Sequence, residues 1–279
     1  MKSLHFSMSP FVFILLLSSL LMATSADAND ETFLDCLSLR SNDSTSISQL
    51  VFTPNNSSYS SILESTARNF RFKAETTPRP LVIITPLQLS HVQATIHCAR
   101  KHGLQIRTRS GGHDFQGLSY VSRAPFVVVD MVRLRSVDID VEKKVAWVQS
   151  GAVLGELYYN LANRTNTLAF PAGLCPTVGI GGYLSGGGYG LLFRNYGLAI
   201  DNVLDAQFVD VNGRVLDRNS MGEDLFSQWI ELWNKMPPSW FINGNPLLRG
   251  FQMSFTTRSR SQGLTGRSEL RSMAIFLVA

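Results

Sequence analysis

Apolar positions along this chain fall into short runs, alternations and helical spacings that can be separated by eye. Leu81-Val82-Ile83-Ile84 is an uninterrupted apolar run, the pattern of a strand buried on both faces. Thr85 and Pro86 then offer an N-cap and a first helical residue. Leu89, Val92, Ile96 and Ala99 recur at helical spacing before Gly103 supplies a stop. Leu104 to Thr108 predicts a second strand, which makes a strand–helix–strand unit, and Phe126-Val127-Val128-Val129 predicts another buried strand. Val137, Ile139 and Val141 alternate with aspartates, turn at Glu142-Lys143-Lys144, and return as Val145-Ala146-Trp147-Val148. Leu154 to Asn163 predicts a helix. Asp205 to Val211 and Arg214 to Asp217 flank Asn212-Gly213, a dipeptide that supplies the positive φ angles of a tight hairpin. The pattern as a whole predicts a mixed α/β or α+β body built partly on hairpins, without internal repeats.

The two ends read differently from this body. Near the N-terminus, Lys2 precedes the apolar run Phe11 to Leu17, which extends to Met22 and is followed by the small-residue sequence Ala26-Asp27-Ala28. This is the layout of a secretory signal with its cleavage site, and it is too short for a membrane span of about 20 residues. Residues 29–76 are rich in Ser and Asn with few periodic apolar positions, and predict a surface cap. Pro78 and Pro80 mark entry to the body, expected over 77–226. Residues 227–279 are expected to be a divergent or disordered tail. Arg258, Arg260, Arg267 and Arg271 lie there among Ser, Thr and Gly, and Met273 to Ala279 is too short to anchor a membrane.

Composition adds three constraints. The net charge of +4 is carried largely by those late arginines, and no basic stripe with interleaved aromatics appears, so nucleic acid is excluded as the expected partner. Sequons at Asn42, Asn55, Asn56 and Asn163 agree with a secretory address and predict glycosylation. Three cysteines, Cys36, Cys98 and Cys175, allow one disulfide and leave one thiol over; arithmetic does not choose the pair. No metal site is expected. His91 and His102 stand about 16 Å apart along one helix at 1.5 Å per residue, and His97 is expected on the helix surface.

Two glycine-rich loops carry the chemistry. The first, Arg109-Ser110-Gly111-Gly112-His113-Asp114, directly follows a strand, and successive glycine amides can form an anion nest suited to a pyrophosphate. The second runs from Gly173 through Cys175-Pro176-Thr177-Val178-Gly179 to Gly190, with a density of glycine that a plain connector would not need. Gly179, Gly181 and Gly182 echo a dinucleotide fingerprint. The strand, helix and acidic residue that fingerprint requires are not in place, so a Rossmann reading is set aside.

Arg109-Ser-Gly-Gly-His-Asp, Cys175-Pro-Thr-Val-Gly-Ile-Gly-Gly and Ser185-Gly-Gly-Gly-Tyr-Gly together resemble the berberine-bridge-enzyme-like oxidases of plants. Arg194-Asn-Tyr-Gly-Leu-Ala, Asp210-Val-Asn-Gly and Met221-Gly-Glu-Asp-Leu-Phe continue the likeness, which covers roughly residues 31–226. The resemblance implies an α+β, two-subdomain FAD-binding domain of the PCMH type with mixed sheets flanked by helices, and a substrate domain largely missing from this chain. It implies bicovalent FAD, with His113 on the flavin 8α-methyl carbon and Cys175 on ring carbon C6. Neutral imidazole and thiolate are nucleophiles suited to that ring. Cys36 and Cys98 are then the implied disulfide. Further implied cofactor contacts are Arg109, Ser110, Gly111, Gly112 and Asp114 in the first loop, and Thr177, Val178, Gly181, Gly182, Tyr183 and Gly186 in the second. Backbone amides of Ser110, Gly111, Gly112, Gly181 and Gly182 are expected to face the cofactor.

Tyr183 stands where the family commonly has a histidine, and Val178 where it has a residue that gates oxygen, with valine resembling the oxidase type. The family's catalytic base belongs to a region beyond the likeness, so no catalytic residue is assigned; Glu223 and Asp224 are expected to be solvated. The resemblance implies an FAD-dependent oxidase acting on an alcohol, sugar or alkaloid, with a small-molecule substrate and oxygen as partners, in the cell wall, extracellular space or vacuole. Two other readings compete: a non-catalytic flavin-binding fragment, and a secreted structural glycoprotein.

Overall fold

The computed structural model of the chain describes residues 32–40, 47–220 and 273–276. The expected signal, the Asn42 sequon, Glu223, Asp224 and the late arginines lie outside the described residues.

Two sheets form the body. The first has the order β1-β2-β4-β3, with β1 (Val51–Phe52) antiparallel to β2 (Val82–Ile84), and β2, β4 (Phe126–Asp130) and β3 (Gln105–Arg109) parallel. Its central strands are apolar from Val82 to Ile84 and from Phe126 to Val129 because both faces are covered, and Asp130 at the end of β4 is the buried exception. Val82 and Ile84 pack with Ala94, Cys98 and Ala99 of the helix Leu89–Lys101 (α3) and with Cys36 and Leu37 of the helix Phe33–Arg40 (α1). Ile83, Phe126 and Val128 face the other way, against Tyr59 and Leu63 of the helix Tyr59–Ser65 (α2). The period of two along each strand thus sorts its residues between two helical layers.

The second sheet has the order β5-β6-β9-β7-β8. β5 (Val137–Asp140) and β6 (Val145–Gln149) form one antiparallel hairpin, and β7 (Val203–Val209) with β8 (Val215–Leu216) forms the other. Of the expected pair only Gly213 takes a positive φ, 76°; its N–H donates to Asp210 O at 2.9 Å, so the turn runs Asp210–Gly213 with Val211 and Asn212 at its centre. β9 (Met273–Phe276) lies between the hairpins, parallel to both β6 and β7. Helices α4 (Leu154–Arg164) and α5 (Ile180–Ser185) cover this sheet through Leu154, Leu157, Ile180 and Leu184, which pack on Ala146, Val148, Ala206 and Phe208. A short helix, α6 (Phe193–Tyr196), follows.

α3 joins the halves. Its Val92 and Ile96 share a cluster with Val129 of β4 and Val209 of β7. Gln93 Nε2 donates to Gly213 O at 2.6 Å, and an Arg100 guanidinium N–H donates to Val211 O at 2.9 Å.

Three sequence expectations need correction. α3 begins at Leu89 with Gln88 as its N-cap, not at Thr85-Pro86; the Thr85 N–H donates instead to Leu50 O at 2.8 Å and lengthens the sheet edge. The segment expected as a surface cap supplies strand β1, helices α1 and α2, and the buried residues Leu50, Tyr59 and Leu63. Finally, Met273–Phe276, within the tail expected to be divergent or disordered, is the middle strand of the second sheet. The Cys36–Cys98 disulfide, with Cα atoms 5.8 Å apart, ties α1 to α3 and leaves Cys175 as an exposed thiol.

Candidate cofactor site

Three segments meet at the site: the loop Ser110–Asp114 after β3, the turn Ser150–Ala152 after β6, and the loop Gly173–Gly179 leading into α5. The first and third touch backbone to backbone. A Cβ on Gly111 would lie 2.3 Å from Gly179 N and 2.8 Å from Thr177 O, and a Cβ on Gly179 would lie 2.0 Å from Ser110 Oγ and 2.2 Å from Gly111 N. Only glycine at both positions permits this approach. The Ser150 carbonyl binds the two loops together, accepting from Ser110 Oγ at 2.5 Å and from Gly181 N at 3.1 Å. The third loop is fixed further by Leu154 N donating to Val178 O and Gly155 N donating to Pro176 O, each at 2.9 Å.

Between the loops lies a cavity of about 560 Å³, within the usual range for small-molecule and cofactor sites. His113 and Cys175, distant in sequence, both line it, together with Ser110, Gly111, Gly112, Asp114, Val178, Gly181, Gly182, Tyr183 and Gly186. His113 Nε2 is 2.8 Å from Thr177 Oγ1, so the histidine of one loop is hydrogen-bonded to the loop that carries the cysteine. Burial, reinforced by the nearby Arg68 guanidinium, lowers the pKa of His113 against a smaller opposing effect from a hydrogen bond to Thr177. Burial and Arg68 thus favour the uncharged ring.

Asp114 is buried, and its oxygens accept from the Leu118 and Ser119 amides and the Ser119 hydroxyl. Burial raises its carboxyl pKa in spite of these bonds. The residue therefore shapes the turn that follows His113. Tyr183 donates through its hydroxyl to Tyr189 O at 2.8 Å, and burial pushes its phenol pKa up.

Three expected contacts are corrected. Arg109 turns away from the cavity. On β3 it shares the buried face of Arg107, where its guanidinium pairs with Asp130 at 2.6 Å and donates to Leu63 O and Ile62 O at 2.7 and 2.9 Å. It anchors the root of the loop to β4 and α2. The Gly181 amide, expected to face the cofactor, donates to Ser150 O. Thr177, also expected as a contact, does not line the cavity; its hydroxyl meets His113 Nε2 instead. Sequence reasoning missed Met131, Ser150 and Leu154 on the inner wall and Phe115, Leu174 and Tyr189, which are exposed. The one signal pointing to Ser150 was the Gly151-Ala152 turn after a strand.

The residues fit an FAD. Gly111 and Gly179, packed backbone to backbone, close the base of a cavity of about 560 Å³, and Met131, Leu154 and Val178 supply apolar wall. Among the described residues, no group of three His, Cys, Asp or Glu side chains could hold a metal ion, and no helix is long and apolar enough to cross a membrane.

The FAD binding domain family matches residues 80–219, which span β2 through the second hairpin and include both glycine loops. The chain belongs to that family. Its relatives are berberine bridge enzyme-like plant oxidases. Tetrahydroberberine oxidase of Berberis wilsoniae is 57% identical over 220 residues, covering 78% of this chain and 41% of its own length. Berberine bridge enzyme-like 18 of Arabidopsis thaliana is 55% identical over 199 residues, covering 71% and 37%. Among solved structures, Phl p 4, a grass pollen allergen with glucose dehydrogenase activity, superposes with a TM-score of 0.67 at 47% identity, covering 71% of this chain and 40% of its own. The berberine bridge enzyme of Eschscholzia californica superposes with a TM-score of 0.65 at 44% identity, covering 70% and 39%. An isoleucine-to-valine variant of Phl p 4 is a glucose oxidase. The chain thus spans about two-fifths of the length of the curated relatives it matches.

Proposed function

We propose that this chain is the flavin-binding part of a secreted berberine bridge enzyme-like oxidoreductase, with FAD held covalently by both His113 and Cys175. The observation that carries the reading is the convergence of those two side chains on one cavity walled by two glycine loops in backbone contact. Bound there, FAD would accept a hydride from a small alcohol, sugar or alkaloid and return the electrons to oxygen. His113 contributes a neutral imidazole and Cys175 a thiol at the exposed end of the cavity, while Thr177 orients the imidazole. Val178 lines the cavity next to Cys175, and valine there favours oxygen access; the oxidase activity of the valine variant of Phl p 4 supports that reading by analogy. Asn55, Asn56 and Asn163 are exposed, as acceptors of glycan must be.

The test is the colour of acid-precipitated protein. Flavin absorbance that stays with the pellet, and a single peptide mass in which one flavin joins the His113 and Cys175 fragments, support the assignment. A colourless pellet sinks it.

A second reading, a flavin-binding fragment without turnover, is favoured by one feature. Asp114 is the one carboxylate among the described residues that line the cavity, and its oxygens are engaged by the Leu118–Ser119 turn. A general base must reach the substrate proton within hydrogen-bond distance. Anaerobic mixing with sugars and aromatic alcohols decides between the two readings: bleaching of the flavin band by any of them rejects the second.

A further inference from the structure

We infer that Asn69, which lies outside both glycine loops, positions His113 for its bond to the flavin and so governs the histidine tether but not the cysteine tether; the proposal rests on the FAD reading above. The side chain of Asn69 makes two hydrogen bonds. Its Oδ1 accepts from Arg71 N at 3.1 Å and caps the 3-10 turn Phe70–Lys73, and its Nδ2 donates to Phe115 O at 2.9 Å. The first bond stays within its own turn. The second reaches 46 residues along the chain, to the loop that carries His113. Phe115 is 80% exposed, so its own side chain does not anchor that segment, and the bond from Asn69 does.

That bond is one side of a bracket around the histidine. On the other side, Gly112 O accepts from Arg68 N at 3.4 Å. Gly112 has φ 66°, and a Cβ there would lie 1.8 Å from Thr66 O, so the turn Thr66–Asn69 lies directly against it. The turn emerges from the end of α2, where Arg109 holds Leu63 O and Ile62 O. Thr177 meets the imidazole itself, whereas Thr66–Asn69 fixes the backbone from which the imidazole projects. The Cys175 loop has different anchors, since Pro176 O and Val178 O accept from Gly155 N and Leu154 N of α4. Loss of the Asn69 bond therefore loosens the mount of one nucleophile and leaves that of the other. Closing the histidine tether replaces one 8α C–H and the imidazole N–H by an N–C bond, as O2 becomes hydrogen peroxide. The cysteine tether likewise replaces a ring C–H and the S–H by an S–C bond, with the same fate for O2. Either closure needs its reacting atoms at about 3–3.5 Å, and a misplacement of about 1 Å costs up to about a hundredfold in rate.

The experiment uses the full chain, prepared flavin-free from riboflavin-starved cells, in two backgrounds. Cys175→Ala leaves the histidine tether alone, and His113→Ala leaves the cysteine tether alone. Each background is made with Asn69, with Asn69→Asp and with Asn69→Ser; both substitutions keep an oxygen to cap Arg71 N and remove the N–H that Phe115 O accepts. FAD is added in air, the flavin bound before acid treatment is measured, and acid-stable flavin is followed with time. In the Cys175→Ala background each Asn69 substitution should slow attachment about fivefold or more, the equivalent of one lost hydrogen bond. In the His113→Ala background the rate should be unchanged, as should the FAD bound before acid in both. Equal slowing in the two backgrounds, or loss of FAD binding before acid, marks a general loosening of the fold and overturns the proposal. If the Cys175→Ala chain that retains Asn69 attaches no flavin, the functional reading falls and this proposal with it; if it attaches flavin equally fast with and without the amide, only this proposal falls.

Discussion

Gly179→Ala tests whether the contact between the two glycine loops holds the site together. The new methyl carbon would lie 2.0 Å from Ser110 Oγ and 2.2 Å from Gly111 N, so the loops must separate by more than about 1 Å to restore ordinary contact. Overpacking of this kind costs about 1–3 kcal/mol. Displacement of Ser110 also endangers its bond to Ser150 O, worth about 1 kcal/mol. A total near 3 kcal/mol predicts a fall in Tm of roughly 6–12 °C for a domain of this size. Gly182→Ala is the matched control: its Cβ meets nothing within 4 Å, it lies within α5, and alanine in a helix is favoured over glycine by up to about 1 kcal/mol. Thermal unfolding of the flavin-free proteins by circular dichroism should therefore move the two variants in opposite directions. A Gly179→Ala protein as stable as its parent, or no less stable than Gly182→Ala, would refute the claim that these loops are locked by direct backbone contact.

Arg109→Ala leaves Asp130 buried without its cation and should lower stability by about 3–5 kcal/mol in urea unfolding, with the double change R109M/D130L recovering part of the loss. Removing the Cys36–Cys98 bridge by C36A/C98A, across a sequence separation of 62, should destabilise by about 4 kcal/mol in the chain-entropy estimate, measured the same way. His113 titrates below its unfolded value of about 6.5, so the folded protein binds fewer protons at this site. Its contribution to stability is complete above that pH and declines as pH falls through it toward the folded pKa; NMR titration should give a low midpoint that rises in Arg68→Ala. Val178→Ile should slow reoxidation of photoreduced protein-bound flavin by oxygen, read by stopped-flow absorbance, and an unchanged rate would remove Val178 as the oxygen gate.

What could be read in advance follows from how local each signal is. The runs at Val82–Ile84 and Phe126–Val129 were legible because a parallel strand covered on both faces calls for apolar side chains. The Asn212-Gly213 hairpin was legible because its turn demands a particular backbone. The helix start was misread because Thr85 uses its backbone to bond Leu50, a tertiary partner that no capping motif records. Segment 47–65 looked polar because only a few scattered residues of its short elements, Leu50, Tyr59 and Leu63, reach the core. At the site, both glycine loops were visible as glycine density. The direction of Arg109 was not, since it depends on strand pleat and on the buried Asp130. Ser150 carries no motif at all; its carbonyl matters because it accepts from both Ser110 Oγ and Gly181 N.

The placement of β9 between β6 and β7 sets an order of assembly. The first sheet draws on residues 51–130, so every strand it needs exists while the rest of the chain is still being synthesised. The second sheet pairs Ala146 with Met273, so its two hairpins remain separate, each with a bare edge, until the last of these strands has emerged. The half that contains β3 and the His113 loop can therefore form during synthesis, whereas the sheet that supports the Cys175 loop closes only afterward through a long-range pairing.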